Sequence, residues 1–360
     1  LRCCDLSPKE FDVEGAWLEN ITDNADAAGS LRVLNHSGRL VERAGQLLYL
    51  ISHWSAHKSY LAKLRDHQRA GLIEDGSLLK YKYIGNYLAY SRSRKWRRDV
   101  LLSNYEFLRM SAQRGWNVVL FKMTTMLWEM ESVDNPDDTL RISLQPGRLA
   151  PLEGEFERRF TIGSRMIAAL TFVFAAGRLL QTDEQTVCVV GALQGGRDSR
   201  ADVRLASKLN GEISPFTMLI ITLTALADAL EVKQAFGVSS SDQVALRGDE
   251  PKDRIDYDAM WVREGASVQP NTFYLLQSPS LDKTSFASAR AHRRRAERKR
   301  ERKVEIAVQI SQRAAHVLCA VSSDQASPAT QRASPHGSAR PERVQFAERS
   351  RLTGNPASGT

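Results

Sequence analysis

Apolar positions recur along this chain in two periods, and the change of period divides it. From Leu40 to Trp116 the spacing is three and four: Leu47, Leu50, Ile51 and Trp54, then Tyr60, Leu61 and Leu64, then Leu101, Leu102, Tyr105, Leu108 and Met110. That spacing places apolar side chains on one helix face and predicts a helical region over 40–116. From Asn117 the pattern shortens. Phe156, Phe160 and Ile162 alternate with polar residues, and Ile167–Ala175 and Val187–Val190 are short runs of branched and aromatic residues. These predict strands, with Leu152–Phe156 leading into the first and Asp183-Glu184-Gln185 as the turn between two paired ones.

Thr186–Asp198 reads as strand, glycine-rich loop and helix start. Asp198 or Ser199 can cap a helix through Leu205–Leu209, which Gly211 ends. Ser214-Pro215 opens a second helix to Leu230, because proline is tolerated in a first turn. A short strand over Val232–Val238, an edge strand over Phe273–Leu276 and a long helix over 284–316 follow. The expected fold class is α+β: a helical N-terminal part, then a mixed β-sheet domain with flanking helices. The expected organisation is an irregular, disordered 1–39, a helical 40–116, a sheet domain with its glycine loop over 117–283, a basic helix over 284–320 and a disordered tail over 321–360. Between Ser322 and Thr360 only Val344, Phe346 and Leu352 are large and apolar, too few to offset chain entropy.

Composition narrows the function classes. With 360 residues, 42% of them hydrophobic, the chain can build a core, so disorder throughout is excluded. Four cysteines exclude a disulfide scaffold and form no C-x-x-C pair, and the seven histidines form no H-E-x-x-H motif, so no metal site is expected. The longest apolar runs, Met166–Gly177 and Phe216–Leu230, are too short or carry Asp228, so no transmembrane helix is expected. The N-terminus Leu1-Arg2-Cys3-Cys4-Asp5 has no apolar signal segment, which points to the cytoplasm. Its leucine start fits a fragment or an alternative start codon.

The net charge is +8, but nine Lys/Arg against two Glu between Arg290 and Lys303 supply +7 of it. A globally basic surface for duplex DNA is therefore not indicated, and nucleic acid is not the expected partner. A local anionic partner is: acidic lipid, RNA or an acidic patch of the same protein. The residues that would bind it are Arg293, Arg294, Arg295, Arg298, Lys299, Arg300 and Arg302. A second cluster, Arg92, Arg94, Lys95, Arg97 and Arg98 around Trp96, reads as a phosphate site or a solvated helix start.

The glycine loop has the makings of an anion site, since amides at a helix N-terminus favour negative charge. Gly195 and Gly196 allow close approach and Arg197 adds a charged donor. A tight turn with no ligand is the competing reading. The loop is neither a Walker A motif nor a dinucleotide fingerprint, but it suits a coenzyme A pyrophosphate. Glu153 and Glu155 share one side of a strand, where one can serve as a general base or both can be solvated. Ser239-Ser240-Ser241-Asp242 stands at a strand end as a polar site or a capping turn. No histidine falls within 150–290, so no Ser-His-Asp arrangement arises.

These motifs together resemble the VirK/YbjX family of bacterial proteins over about Leu47–Arg313. Val190-Gly191-Ala192-Leu193-Gln194-Gly195 is similar to its "IG-x-LQG", Glu153-Gly154-Glu155 to its "EGE", and Asn104-Tyr105-Glu106-Phe107-Leu108 to its "HY-x-x-L". Val238-Ser239 and Tyr257-Asp258-Ala259-Met260-Trp261 match a strand end and "YD-x-FW", and Arg290–Arg302 stands where the family has a basic helix. Three family histidines are replaced here, by Asn104, Asn210 and Gln243. An amide cannot titrate near neutral pH, so any proton transfer by those histidines would be impaired in this chain, while hydrogen bonding would survive.

The resemblance implies a link to virulence, the cell envelope and resistance to cationic antimicrobial peptides. It also suggests a core like that of GNAT-type acyltransferases, with acyl-CoA as co-substrate. There the backbone of Val190, Gly191 and Leu193 would hold the pantetheine arm, and Gln194, Gly195, Gly196 and Arg197 the phosphates. Glu155 or Asp242 would be the base and Tyr257 the acid. The other expectation is a non-enzymatic accessory protein, peripheral at the inner membrane, binding anionic lipid, an envelope precursor or a protein through its basic helix.

Overall fold

The computed structural model describes residues 36–73, 78–132, 135–196, 199–244, 256–276 and 290–319. Residues 1–35 and 321–360, within the segments expected to be disordered, lie outside the described residues. Helix α1 (His36–Ser52) runs almost directly into α2 (Trp54–Arg69), and a single turn, α3 (Leu79–Lys82), precedes α4 (Arg94–Gln113). Ser93 starts α4 by accepting from Trp96 N, a cap worth about 1 kcal/mol. The three-and-four spacing sets the buried face of α4: Val100, Leu101, Asn104, Tyr105, Phe107 and Leu108.

Five strands then form an antiparallel meander: β1 (Thr125–Met130), β2 (Leu140–Pro146), β3 (Phe156–Ile162), β4 (Arg165–Ala176) and β5 (Thr186–Gly195). β1 carries no clean alternation in the sequence, whereas β2 alternates the buried Leu140, Ile142 and Leu144 with polar residues. β5 extends through Gly195, so Gly191–Gly195 lie in a strand and not in the loop expected of them. The reason is pairing: Ala168 to Thr171 of β4 stand opposite Gly195 to Ala192.

Helices α5 (Arg200–Leu209) and α6 (Pro215–Ala229) follow, then β6 (Ala235–Gly237), parallel to β5. Gly211 takes the left-handed φ of +62° between the two helices. After α7 (Tyr257–Arg263) come β7 (Ser267–Val268) and β8 (Tyr274–Leu276). The eight-stranded mixed sheet runs β1-β2-β3-β4-β5-β6-β8-β7. The stretch expected as an edge strand is therefore flanked on both sides, and the short β7 is the edge. The fold is mixed α+β.

Every residue from Ile167 to Ala175 is buried, so both faces of the sheet centre are covered. Helix α4 covers one, where Phe107 meets Phe174, and α6 covers the other. Helix α6 is apolar all round because the last helix, α8 (Arg290–Cys319), lies along its outer side. The contact stripe of α8 is Ile306, Ile310, Ala314 and Leu318, one residue every four. Each isoleucine or leucine buried there contributes about 1.5–3 kcal/mol. Ser311 Oγ donates to Ala225 O, Trp128 Nε1 donates to Gln309, and Asn117 N donates to Leu318 O at the helix end.

Candidate functional site: the motif cluster at the β5 divergence

Strands β5 and β6 pair only from Cys188 to Val190, with two flanking bonds, from Cys188 N to Gln234 O at 2.9 Å and from Val238 N to Val190 O at 3.1 Å. Beyond that point the β6 chain turns away into the short 3-10 turn Ser240–Asp242 while β5 continues. The edge of β5 over Gly191–Leu193 is left with no neighbouring strand, and a buried edge must find other partners. Side chains provide them. Gln243 Nε2 donates to Gly191 O at 2.7 Å. Tyr257 Oη accepts from Leu193 N at 3.0 Å and donates to Leu193 O at 2.8 Å. Burial holds the Tyr257 phenol above the ordinary tyrosine range.

The Glu153-Gly154-Glu155 segment crosses the sheet beside this edge. A Cβ on Gly191 would collide with the Glu153 carbonyl, and one on Gly154 would stand 2.7 Å from Phe172 N. Both glycines are thus demanded by close backbone approach. Gln194 Nε2 donates to Glu153 Oε2 at 3.0 Å. Glu155 turns the other way, into the helical layer. It receives Lys82 Nζ at 2.5 Å, Tyr87 Oη at 2.9 Å and Tyr105 Oη at 2.6 Å. Burial first, and the Glu155 charge second, push both phenols well up. Neither Lys82 nor Tyr87 was marked by any motif spacing. The only signal was the alternation of Lys and Tyr from Lys80 to Tyr83.

Asp242 accepts from Ser91 N at 2.8 Å and faces Arg92, while its carbonyl accepts from Tyr90 N. The segment 83–92 threads between this residue and the Glu155 cluster. Leu88 within it has a left-handed φ of +63°, and its N donates to Leu152 O. The guanidinium of Arg97 is buried and donates to the carbonyls of Gly85, Ala89 and Tyr90, and Arg94 donates to Ile84 O. The basic cluster around Trp96 therefore contributes at least two side chains to holding its own chain. Glu155, Asp242 and Tyr257 gather at one end of the sheet, but no hydrogen bond joins any two of them among the described residues.

The remaining motifs meet here too. Trp261 Nε1 donates to Val238 O at 2.9 Å, and its ring fills the space a Cβ on Gly237 would take. Asp258 Oδ1 accepts from Ser240 N, and Ser240 Oγ accepts from Asp258 N. Gly196 N donates to Ile167 O at 2.7 Å, so that amide is already engaged, whereas Gly195 has open space beside it, with Phe216 Cζ at 3.7 Å. Arg197 lies outside the described residues.

The three amides at the replaced histidine positions are all buried: Asn104 at 0%, Asn210 at 1% and Gln243 at 2% exposure. Each leaves a polar atom without a partner: Asn104 Nδ2, both side-chain atoms of Asn210, and Gln243 Oε1. Such atoms cost about 1–3 kcal/mol each.

The basic residues of α8 sit elsewhere, on a helix half that the core does not cover. Arg294, Arg295 and Arg298 are exposed. Glu212 receives Arg295 and Lys299, which together hold its carboxyl below the ordinary range. Arg302 pairs with Glu305. Among the described residues Arg294 and Arg298 have no ion pair, Arg300 is engaged, and the side chain of Arg293 lies outside the described set. No described helix is long and apolar enough to cross a membrane.

No curated protein matches the chain. The profile of a family described as "Protein of unknown function (DUF535)" matches residues 35–309, which include every motif assembled at the β5 divergence. The chain belongs to that family, which is the VirK/YbjX family.

Proposed function

We propose that this chain is a non-enzymatic accessory protein of the bacterial envelope that docks on anionic lipid through the exposed half of α8. One observation carries the reading. The apolar stripe of α8 begins only at Ile306, so the basic turns before it are not needed for the core. Arg294 and Arg298 there are exposed and have no ion pair among the described residues, which leaves them available to lipid phosphates. Each such charge near an anionic surface contributes about 1 kcal/mol, screened within a Debye length. The protein would then be peripheral on the cytoplasmic side of the inner membrane.

Co-sedimentation with phosphatidylglycerol vesicles tests this. Binding should weaken with salt, be absent with phosphatidylcholine, and fall at least about thirtyfold in Arg294→Glu/Arg298→Glu, as loss of about 2 kcal/mol requires. Unchanged binding in that variant would refute the assignment to α8.

A second reading, an acyl-CoA-dependent acyltransferase, is favoured by the sheet. An antiparallel meander, then one parallel pair that diverges, is similar to a GNAT-type core, where the divergence receives the pantetheine arm. In this chain Tyr257 and Gln243 occupy the bonding positions of that edge, and Glu155 already accepts from three donors. The acyltransferase reading therefore requires those side chains to swing out. Calorimetric titration with acetyl-CoA and a long-chain acyl-CoA decides it. Saturable binding, abolished by Gly195→Asp, would make this the working assignment in place of the first.

A further inference from the structure

Away from both surfaces, a cleft of about 600 Å³ opens between α2, α4 and the turn joining β4 to β5. That is the size range of small-ligand sites. Lys63 and His67 come from α2, Leu102, Ser103, Phe107 and Met110 from α4, and Arg178 from the turn. We propose that this cleft binds a small phosphate-bearing ligand, with the phosphate between Lys63 and Arg178 and the apolar part on Leu102 and Met110.

The charge inventory supports an anion. Three carboxylates line the cleft, and each already has a cation: Asp66 has Arg69, Asp99 has Lys95 and Arg98, and Glu106 has Arg109. Among the described residues Lys63 and Arg178 have neither an ion pair nor a hydrogen bond, so they are left over once the three carboxylates are paired, two of those pairs by cations from outside the lining. Unpaired cations converging on a concave surface are a phosphate site in waiting, because charge-assisted bonds to phosphate are about twice as strong as neutral ones.

The second observation is His67. It is 6% exposed, and its Nδ1 has no hydrogen-bond partner. Burial lowers its pKa, so the ring is neutral at physiological pH and has one acceptor and one donor to offer. Elsewhere in this protein the buried histidine His57 bonds Tyr83. On its inner side His67 stands 6.1 Å from the ring of Tyr105, whose hydroxyl holds Glu155. The cleft thus backs directly onto the motif cluster, although none of the three acid-base candidates lines it.

The test uses the full chain, with inorganic phosphate, 1-naphthyl phosphate and 1-naphthol as probes. Calorimetry gives the affinities, and the His67 imidazole resonance reports the site. Naphthyl phosphate should bind saturably, about tenfold tighter than inorganic phosphate through its buried ring, and should shift His67. Naphthol should not saturate. Lys63 and Arg178 are exposed, so Lys63→Glu/Arg178→Glu should melt like the parent yet lose about 100-fold in affinity. No saturable binding of naphthyl phosphate, or equal binding in that variant, overturns the proposal.

Vesicles containing phosphatidic acid separate a lipid headgroup from a free phosphate ester. Binding that survives Arg294→Glu/Arg298→Glu but is lost in Lys63→Glu/Arg178→Glu supports this site with lipid as its source. Binding lost only in the α8 variant, with no binding of the soluble ester, overturns it while leaving docking through α8 intact.

Discussion

The hydroxyl of Tyr257 bonds both backbone groups of Leu193, accepting from N at 3.0 Å and donating to O at 2.8 Å. One side chain does there what a neighbouring strand does elsewhere in the sheet. Its removal has a definite cost. Tyr257→Phe keeps the ring but leaves a buried N–H and a buried C=O unpaired, at about 1–3 kcal/mol each. The variant should lose about 2–4 kcal/mol in urea unfolding, with an unchanged slope. A loss below about 1 kcal/mol would mean that water reaches the divergence and takes over both bonds.

The glycines of β5 have opposite reasons to be glycine. Gly191 is pressed against the Glu153 carbonyl, while Gly195 has only ordinary contacts, with Phe216 Cζ at 3.7 Å and Ser199 Oγ at 3.8 Å. Gly191→Ala should therefore destabilise by about 3 kcal/mol or more, because backbone must move. Gly195→Ala should change stability by less than about 1 kcal/mol. Thermal unfolding of the two variants side by side checks the contrast, and equal losses would refute it.

This pair also marks how far the sequence could be read. The three-four spacing located α2 and α4 and the alternation located β3, because each buries one apolar face, while the unbroken apolar run located β4, which is buried on both faces. The turn at Asp183-Glu184-Gln185 and the Ser214-Pro215 helix start were legible because their chemistry is local. The role of Gly191 was not, since the Glu153 carbonyl that demands it comes from residues about forty positions away. Glu155 was visible as a carboxylate, but its partners Lys82 and Tyr87 lie in another layer. Likewise Gly195 suggested a loop, and only the pairing with β4 reveals it as the end of a strand. Local chemistry was legible, and long-range contact was not.

Asn104 and Asn210 are both buried, yet their amides are in different circumstances. Asn104 Oδ1 accepts from Phe174 N at 3.0 Å, whereas neither polar atom of Asn210 has a partner. Replacing Asn210 by Leu should stabilise the fold by about 1–2 kcal/mol, since it removes unpaired buried groups. Asn104→Leu should destabilise by about 1–3 kcal/mol, because it orphans a strand amide. Chemical unfolding should show opposite signs. A destabilising Asn210→Leu would indicate that this site cannot accept the extra bulk or that its amide is satisfied by bound water.

Arg158 is a costly group to hold in the core. It is fully buried on β3, none of its three guanidinium nitrogens has a hydrogen-bond partner, and its nearest compensation is the face of Phe172 at 5.5 Å. Burial pushes its pKa down to about 9, with the Cys188 thiol opposing weakly. Below pH 9 the folded protein must carry the buried cation, and the full penalty applies. As pH rises past 9 the folded state sheds the proton while the unfolded chain keeps it up to the ordinary arginine value, so the penalty is relieved. Arg158→Met should therefore stabilise at pH 7 by about 1–4 kcal/mol, and the gain should shrink by pH 10. Comparing parent and variant at each pH cancels the ionisation of the buried tyrosines, which is common to both. A variant less stable than the parent at pH 7 would show that the guanidinium has a partner in solution, an ordered water or an anion inside the core.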